Sequence, residues 1–216
     1  MPSLNRNKSF KKSSIYHVYN RGVDRKLIYK SKLDYTKFLE ILRDCTVNRV
    51  KIITETLKSR QTKQMKQKYI STLNSSRSYY GKIKIFAYCL MPNHFHLLVW
   101  QKNQHDMSGF MKSLNSRYVH YFNSRYKRVG NLYQDIYKAR LLDSNSDVVN
   151  VSRYIHRNPL DITSSITNYP WSSLAAYEKG LKLDWLYTKY LESNFMSSVR
   201  YERYKTYTDF VKDQLD

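Results

Sequence analysis

The stretch KIKIFAYCLMPNHFHLLVW, residues 82–100, decides the fold. Its two apolar segments, 82–90 and 94–100, are separated by a Met-Pro-Asn tripeptide, so the stretch predicts an antiparallel β-hairpin. Successive side chains of a strand point to opposite faces of the sheet. His94 and His96 therefore share one face, and the apolar side chains that alternate with them point the other way. The hairpin is predicted to bury one face in the core and to present two imidazoles on the other.

The segments around this hairpin alternate between strands and helices. Residues 31–48 carry apolar side chains at a spacing near 3.6 after Ser31, which predicts a helix capped by that serine. The other predicted elements are a strand at 14–20, a helix at 107–126, a strand at 136–143, and a helix at 145–159 with Ser146 as its candidate cap. The order β-α-β-β-α-β-α predicts an α+β fold of the ferredoxin-like, split βαβ kind, with an antiparallel sheet and helices on one face.

Three stretches fall outside this pattern. Residues 1–13 are basic and are predicted to form a disordered arm. Residues 49–80 are rich in Lys, Gln, Ser and Thr without a firm period, which indicates a polar, basic insertion that is either solvated and inert or grips DNA. Residues 180–216 predict a C-terminal helical extension. The main domain is predicted to span residues 14–179.

The charge of the chain indicates its class of partner. Its 216 residues include 38 Lys and Arg against 17 Asp and Glu, a net charge of +21, which favours nucleic acid and, second, an anionic membrane. No apolar run approaches the ~18 residues of a membrane span, and the N-terminus lacks the apolar stretch of a signal peptide. Cys45 and Cys89, without CxxC spacing, are interpreted as core thiols in a reducing compartment. We expect a cytoplasmic protein, associated with the nucleoid through DNA and not with a membrane.

Two small groups of residues could carry chemistry. Neutral imidazole is the commonest metal ligand in proteins, so His94 and His96 could bind one ion, although paired histidines are more often stacked or hydrogen-bonded. In RYIHRNP, residues 153–159, Tyr154 and Asn158 lie one turn apart on the same side of the predicted helix. On the residues alone, Tyr154 is one of 21 tyrosines and most of these belong to the core or the surface.

Basic and aromatic residues interleave between residues 107 and 140. Basic side chains neutralise phosphates and exposed aromatic rings stack on unpaired bases, so this region predicts a nucleic-acid surface. Its basic residues are Lys112, Arg117, Arg125, Lys127, Arg128, Lys138 and Arg140. His17 and Arg21, at the first predicted strand, are further candidates for DNA contact.

An ordered series of motifs resembles a known family. The motifs are YHVYNRG (16–22), AYCLMPNHFHLLV (87–99), NSRYVHYFNSRYKRVGNLYQDIYKARLL (115–142), SRYIHRNPL (152–160) and YPWSSLAAY (169–177). Together they resemble the IS200/IS605-type Y1 transposases, which are HUH endonucleases, and among them the branch of REP-associated tyrosine transposases. The resemblance extends from about Ser14 to Lys179, and the long 49–80 insertion departs from it.

This resemblance implies an activity and a site. It implies that His94, His96 and Asn158 hold a divalent cation, Mg²⁺ or Mn²⁺. It also implies that Tyr154 attacks a phosphate of single-stranded DNA, which gives a 5′-phosphotyrosyl bond and a free 3′-OH. The implied substrate contains hairpin-forming or palindromic repeats, and the implied enzyme is a monomer or a homodimer.

Two other functions are compatible with the same residues. The first is a catalytically silent nucleic-acid-binding module on this fold. The second is a metallohydrolase built on the His94/His96 pair, which would need a carboxylate nearby, and residues 82–105 contain none close to the pair. The presence of all three implied ligands and of the tyrosine favours the transposase.

Overall fold

The hairpin lies within a four-stranded antiparallel sheet. In the computed structural model, which describes residues 10–213, strands β2 (Ile83–Met91) and β3 (His94–Gln101) pair with each other. Strand β1 (Ile15–Arg21) pairs with β3, and β4 (Lys138–Leu142) pairs with β1, so the order is β2-β3-β1-β4. This is the strand order of a split βαβ sheet, and the predicted fold class is confirmed.

Eight α-helices accompany the sheet within the described residues. They are α1 (Lys32–Thr46), α2 (Arg49–Lys58), α3 (Lys63–Ser75), α4 (Asp106–Arg125), α5 (Asn145–Arg157), α6 (Leu174–Lys179), α7 (Thr188–Met196) and α8 (Tyr207–Lys212). Helices α1, α4 and α5 are those predicted at 31–48, 107–126 and 145–159. The predicted cap of α5 is wrong: the Ser144 hydroxyl accepts the Asp147 N–H at 3.0 Å, and Ser146 lies inside the first turn.

Helices cover both faces of the sheet. Helices α1 and α4 pack on the face that carries Phe95 and Leu97, as the split βαβ pattern predicts. Helix α5 and the helices after it form a second core on the opposite face, where Leu98 and Cys89 lie. The expectation of helices on one face therefore holds for α1 and α4 but not for α5 and the helices after it. The apolar stripe of α5 needs a partner, and the β2–β3 half of the second face supplies it.

The polar insertion forms the helical pair α2 and α3. Its anchors are isolated apolar side chains, since Ile52 and Leu73 are each 1% exposed. The Tyr69 hydroxyl also donates to Asp44 at 2.5 Å. Because two anchors on separate short helices make no repeating pattern, the sequence of this segment showed no period.

The segment beyond residue 180 contributes to the second core. Phe195, Tyr207 and Phe210 are buried in the same cluster as Val148 and Ile155 of α5. The C-terminal helices thus pack directly on the helix that carries Tyr154.

Three expectations concern the ends and the thiols of the chain. Residues 1–9 of the predicted basic arm lie outside the described residues. Phe10 is 4% exposed and packs edge-on against Tyr16, with ring centres 4.9 Å apart. Cys45 and Cys89 are both free and buried, as predicted. Among residues 10–213, no helix combines the length and the apolar character needed to cross a membrane.

Candidate active site

Cross-strand register brings the predicted histidines together with basic residues of β1 and β4. Residues paired directly across two strands place their side chains on the same face of the sheet. The relevant pairs are Arg21 with His94, Tyr19 with His96, Tyr19 with Lys138, and His17 with Arg140. This face of the sheet therefore carries a concentrated group of imidazole and basic side chains.

Helix α5 carries Tyr154 to the edge of this group. The apolar side of α5 is buried against the sheet, which leaves the Tyr154 side chain 54% exposed. Its ring stands edge-on to His17 at 5.8 Å and to His96 at 5.5 Å between ring centres. Within residues 10–213 the Tyr154 hydroxyl has no hydrogen-bond partner. Tyr154 lines a cleft of about 470 Å³ together with His17, His96 and Arg140.

His94 and Asn158 approach each other across the sheet and the end of α5. His94 Nε2 lies 3.5 Å from Asn158 Oδ1. The Asn158 Nδ2 donates to the Tyr154 carbonyl at 2.8 Å, which turns the amide oxygen toward the histidine. His94 Nδ1 lies 2.7 Å from Asn93 Oδ1, so Nε2 is the nitrogen that faces Asn158.

His96 is held by His17. His96 Nδ1 and His17 Nε2 are hydrogen-bonded at 2.8 Å, with the hydrogen carried by one of these two nitrogens. The two rings stack with their centres 5.0 Å apart. His17 and His96 are 7% and 6% exposed. The hydrogen bond occupies Nδ1 of His96 and leaves its Nε2 for another partner.

Burial keeps the three histidines neutral. Burial, and next the charge of Arg140, lowers the pKa of His17 to about 4. Burial, followed by His17 and His94, lowers the pKa of His96 well below its ordinary value. Burial also lowers the pKa of His94, against the opposite effect of its Asn158 hydrogen bond. Neutral imidazole is the form that binds metal ions.

Two of the three predicted ligands, His94 and Asn158, lie close enough together to share one divalent cation. Two donors at about 2.1 Å from one ion lie at most about 4.2 Å apart, and the His94 and Asn158 donors satisfy this limit. Imidazole nitrogen and amide oxygen suit Mn²⁺ or Mg²⁺ only as part of a set that water or substrate completes. In the described part of the chain, no three His, Cys, Asp or Glu side chains are arranged to hold an ion. The predicted ligands, two imidazoles and one amide, therefore include no charged side chain.

The predicted DNA contacts fall into two groups. His17 and Arg140 line the cleft, while Arg21 and Lys138 line an adjoining cavity of about 300 Å³ that shares Tyr19 with it. The others belong to α4 or to the turn after it, on the opposite side of the sheet: Lys112, Arg117, Arg125, Lys127 and Arg128. Arg117 there pairs with the buried Asp44 at 2.7 Å.

Three polar residues of the cleft were not singled out from the sequence. They are Tyr19, Asp147 and Asn150. Tyr19 follows His17 by two positions in a strand, and Asn150 precedes Tyr154 by four positions in a helix, so periodicity could have placed both on the site's side. Asp147 lies two turns before Tyr154, so the same helical period could have placed it on this side as well.

The far side of α5 is fastened to α8 and to the loop before α6. His156 Nδ1 lies 2.8 Å from the Tyr207 hydroxyl, and Nε2 lies 2.7 Å from the Ser173 hydroxyl. Tyr207 also donates to Ser152 at 2.8 Å. Arg153 Nε donates to the Phe210 carbonyl at 3.0 Å. These bonds fix the rotation of α5 and with it the direction of Tyr154.

Comparison with known proteins gives one family and several solved structures, among them the two that follow. Residues 44–158, which include the histidine pair, Tyr154 and Asn158, match the model of the family described as "Transposase IS200 like". A REP-associated tyrosine transposase, solved bound to a REP hairpin, is 15% identical over 86% of this chain and 92% of its own, with a TM-score of 0.49. A candidate transposase from Deinococcus radiodurans R1 is 16% identical over 71% of this chain and 97% of its own, with a TM-score of 0.38. No curated protein sequence matches the chain.

Proposed function

This chain belongs to the IS200-like transposase family, and we propose that it cleaves and rejoins single-stranded DNA with Tyr154 as the nucleophile. The observation that carries the proposal is the position of the Tyr154 ring. It stands half-exposed at the cleft, edge-on to His17 and His96, with an unengaged hydroxyl. The motifs that resemble the REP-associated branch favour DNA with hairpin-forming repeats as the substrate.

The proposed step is an exchange of phosphate esters. Tyr154 Oη forms a bond to phosphorus while the bond from phosphorus to the 3′ oxygen breaks. The phenol loses its proton and the departing 3′ oxygen gains one, so the products are a 5′-phosphotyrosine and a 3′-OH strand. Because the ester bond is conserved, a 3′-OH can attack the phosphotyrosine and restore Tyr154 without ATP.

The surrounding side chains support this step in separate ways. Arg140 and, in the adjoining cavity, Arg21 and Lys138 offer positive charge to the phosphates on either side of the reacting one. His94, His96 and Asn158 would hold the divalent cation, which supplies Lewis-acid polarisation of the phosphate when bound. The α5 to α8 hydrogen bonds keep the Tyr154 side chain directed at the cleft.

The test is capture of the covalent adduct. The full-length protein is incubated with Mn²⁺ and a pool of hairpin-bearing single-stranded oligonucleotides, labelled at either end, and run on a denaturing gel. We expect the 3′-labelled fragment to migrate with the protein and the 5′-labelled fragment to be released with a 3′-OH. Tyr154→Phe should form no adduct.

A matched control is Tyr80→Phe, since Tyr80 is 53% exposed and Tyr154 is 54% exposed. This variant should form the adduct as the wild type does. An equal adduct from Tyr154→Phe would contradict the proposed nucleophile. Tight binding of every oligonucleotide without cleavage would favour the silent binding module instead.

A further inference from the structure

A second cavity, of about 590 Å³, lies on the same face of the sheet as the cleft but beside strand β2. We call it the aromatic groove, and its defining residues are Lys84, Trp100, Lys182, Leu183, Tyr187 and Lys189. Trp100 is on the cleft's face of β3, four residues after His96, which is about 13 Å along a strand. Helix α5 stands between the two cavities. Its Asp147 lines the cleft, and its Asn145 accepts from the groove residue Tyr190 at 3.3 Å.

The rings of the groove are held in place. The Tyr187 N–H donates to the Ile85 carbonyl at 2.9 Å, which attaches this segment to the edge of β2. Tyr190 stacks on Phe86 with ring centres 4.4 Å apart and an angle of 12°. The walls of the groove therefore need little reorganisation to receive a flat ligand.

Lys84 lies between the two partly exposed rings. Its Nζ is 4.9 Å from the centre of the Trp100 ring and 5.4 Å from that of Tyr187. A cation over two ring faces is the arrangement of a cation–π contact. The same ammonium can exchange these faces for a phosphate oxygen and so release the rings for stacking.

The groove is positively charged throughout. Three lysines line it and no acidic side chain does. Asp184 is the acidic residue nearest to Lys182 along the chain. It forms ion pairs with Arg43 at 2.8 Å and with Lys51 at 3.0 Å, and neither of these residues lines the groove. Within residues 10–213, neither Lys182 nor Lys189 has an ion-pair partner. The groove thus combines uncompensated positive charge with rings and with the exposed Leu183.

This combination matches one ligand chemistry. A nucleotide in a single strand offers a flat base to the rings and leucines and a phosphate to the lysines, whereas a duplex keeps its bases stacked and out of reach. We infer that the aromatic groove binds an unpaired nucleotide of the DNA strand whose scissile phosphate lies at Tyr154. The choice of DNA rests on the proposed function, and the groove is a second binding site for the same strand.

Binding of an uncleavable probe tests the groove. Fluorescein-labelled dT20 is titrated with the full-length protein in EDTA and followed by anisotropy. We expect the double variant Lys182→Glu/Lys189→Glu to bind dT20 about tenfold more weakly than the matched variant Lys63→Glu/Lys68→Glu, which makes the same charge change on α3. The slope of log K against log salt should flatten by about 0.7 for each phosphate that the variant no longer neutralises.

Two further arms separate stacking from charge. Trp100→Ala should weaken dT20 binding about tenfold, while Trp100→Phe should retain most of it. For a 20-base-pair duplex, we expect Lys182→Glu/Lys189→Glu and Lys63→Glu/Lys68→Glu to lose the same amount of affinity. A thermal unfolding scan checks that each Trp100 variant is folded. If Trp100→Ala does not fold, the variants of the exposed Lys182 and Lys189 still test the groove.

Equal losses of dT20 affinity in the groove and α3 lysine variants would overturn the inference. So would a loss for the duplex as large as the loss for dT20. The adduct assay separates this result from the proposed function. If the wild type forms the adduct but the groove variants bind dT20 normally, the groove inference fails and the proposed nucleophile stands. If the groove variants bind dT20 weakly but no adduct forms, the proposed nucleophile fails and the groove inference stands.

Discussion

At the scale of single residues, the hydrogen bond between His17 and His96 occupies Nδ1 of His96 and leaves Nε2 as its open ring nitrogen. The two side chains belong to neighbouring strands and are both nearly buried. A ring nitrogen bound to a second group fixes the tautomer and the orientation of a metal-binding histidine. If His96 holds the cation as proposed, His17 is a positioning residue for it, beyond its place in the wall of the cleft.

We expect His17→Ala to raise the Mn²⁺ concentration for half-maximal adduct formation by about 10- to 100-fold. The physical reason is that His96 then loses the partner that orients it. The measurement is the initial rate of adduct formation as a function of Mn²⁺ concentration. His120→Ala, which changes an exposed histidine on α4, is the control and should leave the curve unchanged.

A different outcome would assign His17 another role. If His17→Ala lowered the rate at saturating Mn²⁺ and left the half-maximal concentration unchanged, the ring would be contacting DNA or Tyr154 rather than supporting His96.

At the scale of elements, the position of Tyr154 depends on how α5 is seated. One side of α5 is an apolar stripe that packs on the sheet, and its polar far side is hydrogen-bonded to α8. A helix held on two sides cannot rotate without breaking buried hydrogen bonds, each of which is costly to leave unmade. The C-terminal helices thus contribute to the geometry of the site although they supply no residue to it.

Tyr207→Phe should therefore lower the free energy of unfolding by about 1–3 kcal/mol and also slow adduct formation. It removes the hydroxyl that bonds both His156 and Ser152 and leaves buried polar atoms without a partner. Urea denaturation and the adduct assay measure the two effects. Tyr80→Phe, at an exposed site, should change neither, and an equal loss of stability in both variants would show that the Tyr207 hydroxyl is not important.

The elements that could be predicted from the sequence are those with a repeating pattern. Alternation in 94–100 and the stripe of α5 located the histidine face and the tyrosine helix. Helices α2 and α3 could not be predicted in the same way because Ile52 and Leu73 are single anchors in polar surroundings. The packing of α5 against α8 could not be predicted either, because Tyr207, the partner of His156, is 51 residues away along the chain.

At the scale of the whole molecule, a chain with a net charge of +21 folds around a few buried acids. Asp34 is fully buried and accepts from Tyr126 at 2.7 Å and from Tyr121 at 3.0 Å. Burial raises the pKa of its carboxyl, but these hydrogen bonds and those from nearby backbone N–H groups outweigh that effect and lower it. Asp34 and Asp44 thus serve the core, and the chain as a whole keeps a large excess of basic over acidic side chains.

The buried His156 makes the stability of the whole fold sensitive to acid. Burial lowers the pKa of His156 to about 3, against about 6.5 in an unfolded chain. As the pH falls below 6.5, the unfolded chain takes up a proton that the folded chain does not. Stability from this group is therefore complete above about pH 6.5 and is lost progressively as the pH falls toward 3, at up to about 1.4 kcal/mol per pH unit.

We expect this residue alone to cost about 2 kcal/mol between pH 7 and pH 5. Urea denaturation at both pH values measures the loss for the wild type and for His156→Gln. The variant starts less stable because it loses hydrogen bonds, but its stability should fall by about 2 kcal/mol less over the same range. Equal losses would mean that His156 is not kept neutral in the folded state.

The site as a whole shows what sequence reasoning can reach. The motifs predicted Tyr154, His94, His96 and Asn158 as site residues, and the fold brings these four close together near the C-terminal end of α5. The bond from His17 to His96 joins residues 79 positions apart, and only strand register could show it. The aromatic groove was equally out of reach, because Trp100 and Tyr187 lie on segments that the sequence gives no reason to pair.

The fastening of α5 by α8 also has a consequence for how the protein is made. The Asp213 carbonyl, directly after α8, accepts from Arg153 of α5 at 2.6 Å, and Asp213 is translated 59 residues after Tyr154. At about 5–20 residues per second, that interval lasts about 3 to 12 seconds. During this time a nascent chain already contains Tyr154 and the histidines but not α8, which fastens the helix of Tyr154. Synthesis itself therefore delays the completed site until the C-terminal helices have left the ribosome.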